Sequence, residues 1–246
     1  MINLEKYKNI ISLGYFCGIS IDLRKLVLRD YSGPFDWLLT KKYSQVIKLI
    51  ENNFKDFMLE DNLYQLKSNQ EQYYDIKNDI YFFHDFNNYD SLKKQYFEVK
   101  EKYDRRIKRF YEMIKEPTIF IRYINNEDDE SDELRYIEEN NAYINALLKK
   151  HNKDNFVIYI ANANLKSKVV NIFNVEKENP NDVVSRSPIL KNKRLCELLS
   201  NIPHIKKQEN LNYYLKQNKY KILKKIHLKS KKFFHKKYIH YKIING

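Results

Sequence analysis

Four short runs of the chain are apolar without alternation: residues 9–13, 80–83, 118–124 and 156–161. Unbroken apolarity over so few residues suits central parallel strands that are covered on both faces. Between these runs, apolar positions recur at helical spacing. Ile19, Leu23, Leu26 and Val27 form one stripe, and Val46, Ile47, Ile50, Phe54 and Phe57 form a second. The longest is Leu92, Tyr96, Val99, Tyr103, Phe110 and Ile114, with Asp90 and Ser91 as cap candidates before it and Pro117 as its stop. A fourth stripe, Leu134, Ile137, Ile144 and Leu148, starts after Ser131. Strands alternating with helices predict βαβ units, hence an α/β fold with a mostly parallel central sheet and helices on both faces. Ligands of such sheets bind beyond the carboxyl ends of the strands. Those ends fall here at residues 14–18, 84–85, 123–129 and 162–164.

Composition narrows the class. At 246 residues, 43% hydrophobic and 31% charged, the chain can bury one sizeable core and is neither disordered nor fibrous. No run of about 18 apolar residues occurs, so no membrane-spanning helix is expected. The first thirteen residues carry Glu5, Lys6, Lys8 and Asn9 and no apolar segment, so a secretory signal is not expected either. Two cysteines, Cys17 and Cys196, do not make a disulfide framework, and a reduced, cytoplasmic protein is the expectation.

The net charge of +13 is unevenly spread. Glu209 is the last acidic residue, and eleven lysines from Lys216 to Lys242 follow it. Residues 1–209 are therefore nearly neutral. The organisation expected is a single α/β catalytic-type domain over 1–209 and a basic amphipathic tail over 210–246. In the tail Leu215, Ile222, Leu223, Ile226, Phe233 and Phe234 intersperse the lysines at near-helical spacing. That pattern suits a peripheral contact with an anionic membrane surface, the inner face of the cell membrane for a cytoplasmic protein. Nucleic acid is not expected, because the body is neutral and lacks a known binding motif.

Candidate chemistry gathers where glycine does. Gly14, Gly18 and Gly33 are the only glycines before the terminal Gly246, in a chain otherwise rich in Lys, Asn, Ile and Tyr. Glycine so sparingly used is expected where φ is positive or backbones approach closely. In Ser12-Leu13-Gly14-Tyr15-Phe16-Cys17-Gly18, strand, turn and helix follow in order. Cys17 should sit at the helix N-terminus, where exposed N–H groups and the helix dipole lower a thiol's pKa. Gly14 and Gly18 would let a substrate carbonyl approach those N–H groups. A small buried hydrophobe is the bland alternative for Cys17, and Cys196, on an amphipathic stretch, reads as structural.

A cysteine nucleophile needs a base. Of six histidines, His84 alone ends an apolar strand. Asp85 is adjacent but should point to the other face. Asp36 lies between Phe35 and Trp37 and could orient His84 or pair with Arg29. Arg122, inside an apolar strand, needs a carboxylate, from Asp36, Asp85 or an anionic substrate. The acidic run 127–133 reads as a solvated loop. No P-loop, GxGxxG, CxxC, HExxH or GxSxG occurs, so no nucleotide cofactor and no metal are expected.

At these residues the chain resembles the bacterial family of "putative papain-like cysteine peptidases", a domain of unknown function. The resemblance lies in Ser12-Leu13-Gly14 with Cys17, Leu23-Arg24 to Arg29, Pro34-Phe35-Asp36-Trp37, His84-Asp85-Phe86, Tyr103 with Arg105-Arg106 and Phe110, and Phe120-Ile121-Arg122. It covers roughly residues 9–165 and implies Cys17 as nucleophile and His84 as its base, on a papain-like α+β fold. The leading reading is a cysteine hydrolase or peptidase using Cys17 and His84, with Asp36 or Asp85 as the acid. Gly14, Gly18, Arg29, Trp37 and Arg122 would bind a peptide, acyl or glycan substrate. One alternative is a non-thiol transferase on a glycan or polyanion, with Arg122 and Arg29 as anion binders. A second is a module that binds membranes or polyanions through its tail.

Overall fold

A computed structural model describes residues 4–202 apart from 30, 68, 127–131, 163 and 180. The basic stretch 210–246 and its expected amphipathic helix lie outside the described residues.

Two four-stranded sheets organise these residues. The first is parallel, in the order β1 (Asn9–Ser12), β6 (Thr118–Ile124), β7 (Phe156–Ala161) and β8 (Ile172–Asn174). The second is antiparallel, in the order β2 (Leu38–Leu39), β5 (Ile80–Phe82), β4 (Asn69–Asp75) and β3 (Leu63–Leu66). Five helices complete the fold: α1 (Gly18–Lys25), α2 (Tyr43–Glu51), α3 (Leu92–Met113), α4 (Glu133–Lys149) and α5 (Lys193–Ser200). The mixed α/β architecture agrees with the sequence expectation and is consistent with a papain-like α+β fold.

All seven residues of β6 are buried, as continuous apolarity requires of a strand with neighbours on both edges and cover on both faces. On one face Phe120 and Ile124 join Leu13, Tyr159 and Ala161 in a core with Val46 and Ile50 of α2, Tyr103 and Phe110 of α3, and Ile137 and Ile144 of α4. On the other face Ile10, Ile119, Ile121, Ile158 and Ile160 are also buried. Ile19 and Leu23 of α1 and Leu195 and Leu199 of α5 are buried outside the first core.

One expected parallel strand is not parallel. Residues 80–82 run antiparallel between β2 and β4, with Leu38 opposite Phe82 and Tyr74 opposite Tyr81. An inner strand of an antiparallel sheet is flanked on both edges as a parallel one is, so its apolar run looks the same. Strand β3 gave no apolar signal, because Tyr64 and Gln65 face solvent, and in β4 the buried Tyr73 and Asp75 make no apolar run.

The glycine expectation needs a second correction. Gly14 has φ +81, but six non-glycine residues beyond the site, Val27, Asn53, Phe54, Asp56, Met58 and Asp79, also have positive φ. Each such residue costs roughly 1–2 kcal/mol, so tertiary bonds must hold it. Met58 shows how: its N–H donates to Asp75 Oδ2 at 2.9 Å, and its carbonyl accepts from Tyr96 Oη at 3.1 Å.

Candidate functional site

Strand β1 ends in a turn with two successive left-handed residues, Gly14 at φ +81 and Tyr15 at φ +80. Gly14 N–H donates to Ser12 Oγ at 3.1 Å, and Tyr15 N–H donates to Thr40 Oγ1 at 3.0 Å. A Cβ on Gly14 would lie 2.7 Å from that same Oγ1, so only glycine fits. Its N–H is spent inside the turn, which removes Gly14 from the expected substrate-binding set.

The turn delivers Cys17 to the N-cap of α1. The thiol is half-buried and makes no capping hydrogen bond. Gly18 is required by close approach: a Cβ there would overlap the Phe16 ring and lie 3.2 Å from Arg186 O. Burial pushes the Cys17 thiol pKa up, and a backbone hydrogen bond offsets this only in part. The expected lowering by the helix terminus is therefore overturned, because loss of water around the thiolate outweighs the dipole.

At about 100° per residue, α1 presents an inward face, two flanking walls and an outward stripe. Ile19 and Leu23 point into the protein and are fully buried. Gly18 and Asp22 face the segment after residue 185, where Asp22 Oδ2 accepts from Ile189 N–H at 3.0 Å and Leu190 N–H at 3.2 Å. Ser20 and Arg24 face the opposite wall: Ser20 Oγ donates to Asp36 Oδ1 at 2.7 Å, and the Arg24 guanidinium lies 5.9 Å from the Trp37 ring centre. Cys17, Ile21 and Arg24 are half-buried and Lys25 is exposed, a partly open stripe between the two walls.

His84, just beyond β5, is exposed and meets the Trp37 ring edge-on at 6.2 Å. It thus borders the wall on which Arg24 lies. No hydrogen bond joins Cys17 to His84 among the described residues.

Among the described residues no hydrogen bond joins either candidate acid to His84. Asp36 is buried and fully used: besides Ser20 it accepts from Gly33 N–H at 2.8 Å and pairs with Arg29. Of the two roles read for Asp36, the pair with Arg29 is the one formed. Asp85 accepts from Tyr103 Oη at 2.7 Å and Lys102 Nζ at 2.6 Å, both on α3, in keeping with its expected direction away from His84.

Arg29 and Arg122 are not open anion binders. Arg29 is 6% exposed, pairs with Asp36 and lies 5.7 Å from the Trp37 ring centre. Arg122 has no exposure at all. Its Nε donates to Glu133 Oε1 at 2.6 Å, Nη1 to Leu13 O at 3.1 Å and Thr40 Oγ1 at 2.7 Å, and Nη2 to Thr40 O at 2.7 Å. The carboxylate it demands is Glu133, the first residue of α4, and neither Asp36 nor Asp85. Glu133, read as the end of a solvated loop, is 3% exposed. Trp37 is half-buried.

Sequence reasoning missed Ser20, Arg24 and Thr40. The spacing of Cys17, Ser20 and Arg24 on one helix face was the available signal for the first two. Thr40, which ties the Gly14–Tyr15 turn to Arg122, had none. Cys196 lies half-buried on α5 as a free thiol. No cluster of three or more potential metal ligands occurs among the described residues, and no described helix is long and apolar enough to cross a membrane.

The family match covers the region that builds this site. Residues 8–164 match the model of the family described as "Putative papain-like cysteine peptidase". The uncharacterized protein R408 of Acanthamoeba polyphaga mimivirus is 33% identical over 174 residues, 59% of this chain and 78% of that one. No solved structure matches the chain. The matched segment runs from β1 through β7 and holds Cys17, Asp36, Trp37, His84 and Arg122, and the chain belongs to the putative papain-like cysteine peptidase family.

Proposed function

We propose that the protein is a thiol hydrolase or acyltransferase in which Cys17 attacks the carbonyl of an amide, ester or thioester. The observation that carries this reading is the placement of Cys17: a half-buried thiol at the N-cap of a helix, beyond the carboxyl end of β1, on an open stripe between two walls. The first N–H groups of α1 have no intrahelical acceptor. They would stabilise the oxyanion.

A thiol kept neutral by burial needs a base as it attacks. His84 fills that role, closing on Cys17 from the Trp37 side when substrate binds, since catalytic hydrogen bonds often tighten only in the complex. The Cys17 proton passes to the imidazole, sulfur bonds to the carbonyl carbon, and the leaving group departs with that proton. The resulting S-acyl Cys17 is released to water or to an acceptor nucleophile. A peptide substrate is the reading the family name favours. The transferase alternative loses the two arginines it relied on, because Arg122 and Arg29 are bonded within the protein.

The test is alkylation by iodoacetamide with the modified site mapped by mass spectrometry. Labelling at Cys17 that rises with pH above the ordinary thiol range, and slows in His84→Ala when an acyl ester replaces iodoacetamide, is the expected result. Absence of labelling at Cys17 in excess reagent overturns the reading.

A further inference from the structure

Three side chains meet the Trp37 indole. Two guanidiniums lie over it, Arg29 at 5.7 Å and Arg24 at 5.9 Å, and His84 meets its edge at 6.2 Å. Arg29 is compensated by buried Asp36. Arg24 is half-buried, and among the described residues its guanidinium forms no ion pair or hydrogen bond and meets only the Trp37 ring. An arginine held on an aromatic plate, part-shielded from water and lacking a carboxylate, is preorganised for a planar anion, which its fork of N–H groups can grip at two points.

Arg24 follows Cys17 by seven residues, which is within about 20° of two full helical turns. Both side chains therefore share one face of α1, separated by roughly 10 Å along the axis. The half-buried Ile21 lies between them. The stripe thus runs from a thiol, over an apolar residue, to an unpaired guanidinium.

We propose that Arg24 and Trp37 form the carboxylate-binding subsite of this enzyme, and that its substrates are acyl or peptide chains bearing a carboxylate about 10 Å from the carbonyl that Cys17 attacks. The proposal rests on the Cys17 reading for the identity of the attacked carbonyl, whereas the subsite itself rests on Arg24 and Trp37 alone. Lys25, exposed beside the stripe, pairs with Asp22 at 3.6 Å, which leaves Arg24 as the uncompensated charge of this helix face.

Trp37 is the single tryptophan of the chain, so its fluorescence reports on the subsite without any chemistry at Cys17. The probe is 6-acetamidohexanoate, titrated at low salt against its neutral primary amide. A saturable change with the acid and none with the amide is expected, and Arg24→Gln should weaken the response about tenfold while Arg24→Lys retains part of it. Equal responses to acid and amide, or an unchanged response in Arg24→Gln, overturn the subsite. A second arm uses 6-(iodoacetamido)hexanoate against iodoacetamide and reads alkylation of Cys17. Faster, saturable labelling by the anionic reagent, lost in Arg24→Gln, is expected; equal labelling by the two reagents in the wild type, or a preference that survives in Arg24→Gln, overturns the link between subsite and thiol. A fluorescence response with no labelling of Cys17 by either reagent would instead keep the subsite and refute the thiol reading.

Discussion

Arg122 and Arg24 are both arginines packed on aromatic rings, Arg122 on Tyr43 at 5.0 Å and Tyr15 at 5.8 Å, Arg24 on Trp37 at 5.9 Å. Their surroundings differ in every other respect. Arg122 is sealed in the core and spends its N–H groups on Glu133, Leu13 and Thr40. It ties β1, β6, the segment before α2 and the start of α4 to one another. Arg24 sits on a partly open helix face with its charge uncompensated. A buried arginine whose three nitrogens all donate within the protein holds the scaffold, whereas a half-exposed one stacked on an aromatic ring is available to a ligand. The residue that looked most like an anion binder in the sequence is the structural one.

The largest expected effect separates the two directly. Arg122→Met leaves Glu133 buried without its partner and should lower stability by about 3–5 kcal/mol, read as a fall in the denaturant midpoint. Replacing Glu133 with leucine in the same chain should recover much of that loss, because it removes the orphaned charge. If Arg122→Met unfolds at the wild-type midpoint, the pair is not what holds these elements together.

Asp36→Asn should have the next largest effect, about 1–3 kcal/mol. The amide oxygen can still accept from Ser20 or Gly33, but the charge opposite Arg29 is gone. Arg24→Gln sits at the other end, within about 0.5 kcal/mol of wild type in stability, with its effect confined to ligand response. A large stability loss in Arg24→Gln would erase the contrast between the two arginines.

Asp85→Asn sharpens the same contrast on the acid side. Asp85 is bonded to Tyr103 and Lys102, so its substitution should lower stability modestly and leave the alkylation rate of Cys17 unchanged, as measured by labelling kinetics. The pH dependence of that rate has a definite sign. The folded thiol has a raised pKa, so the thiolate fraction stays small through neutrality and grows only above the ordinary thiol range. Cys17 should therefore be alkylated more slowly than the same residue in the unfolded chain at pH 8.

The parallel sheet was legible because strands covered on both faces announce themselves by unbroken apolarity, as in 118–124. The Cys17 helix was legible because glycine marked its entry and an apolar stripe its buried side. The direction of β5 was hidden, since burial fixes composition but not the orientation of the neighbouring strand. The strands β3 and β4 were hidden because their buried positions among the described residues are few and include Tyr73 and the carboxylate Asp75, which leave no apolar run. Glu133 was misjudged because an acidic residue in an acidic run signals solvent, and only tertiary packing turned it inward. The raised thiol pKa could not be read either, because the dipole is a local property of the chain and desolvation is not.

The central claim is that Cys17 is the nucleophile, and acyl transfer to it is the most direct measurement. The chain is mixed with p-nitrophenyl acetate at pH 8, quenched in acid and mapped by mass spectrometry, with release of nitrophenol followed in parallel. The expected result is an acetyl group on Cys17, a burst of nitrophenol that precedes steady turnover, and loss of both in Cys17→Ala with the fold intact. Turnover that survives in Cys17→Ala, or acetyl found on Cys196 or lysines alone, would contradict it.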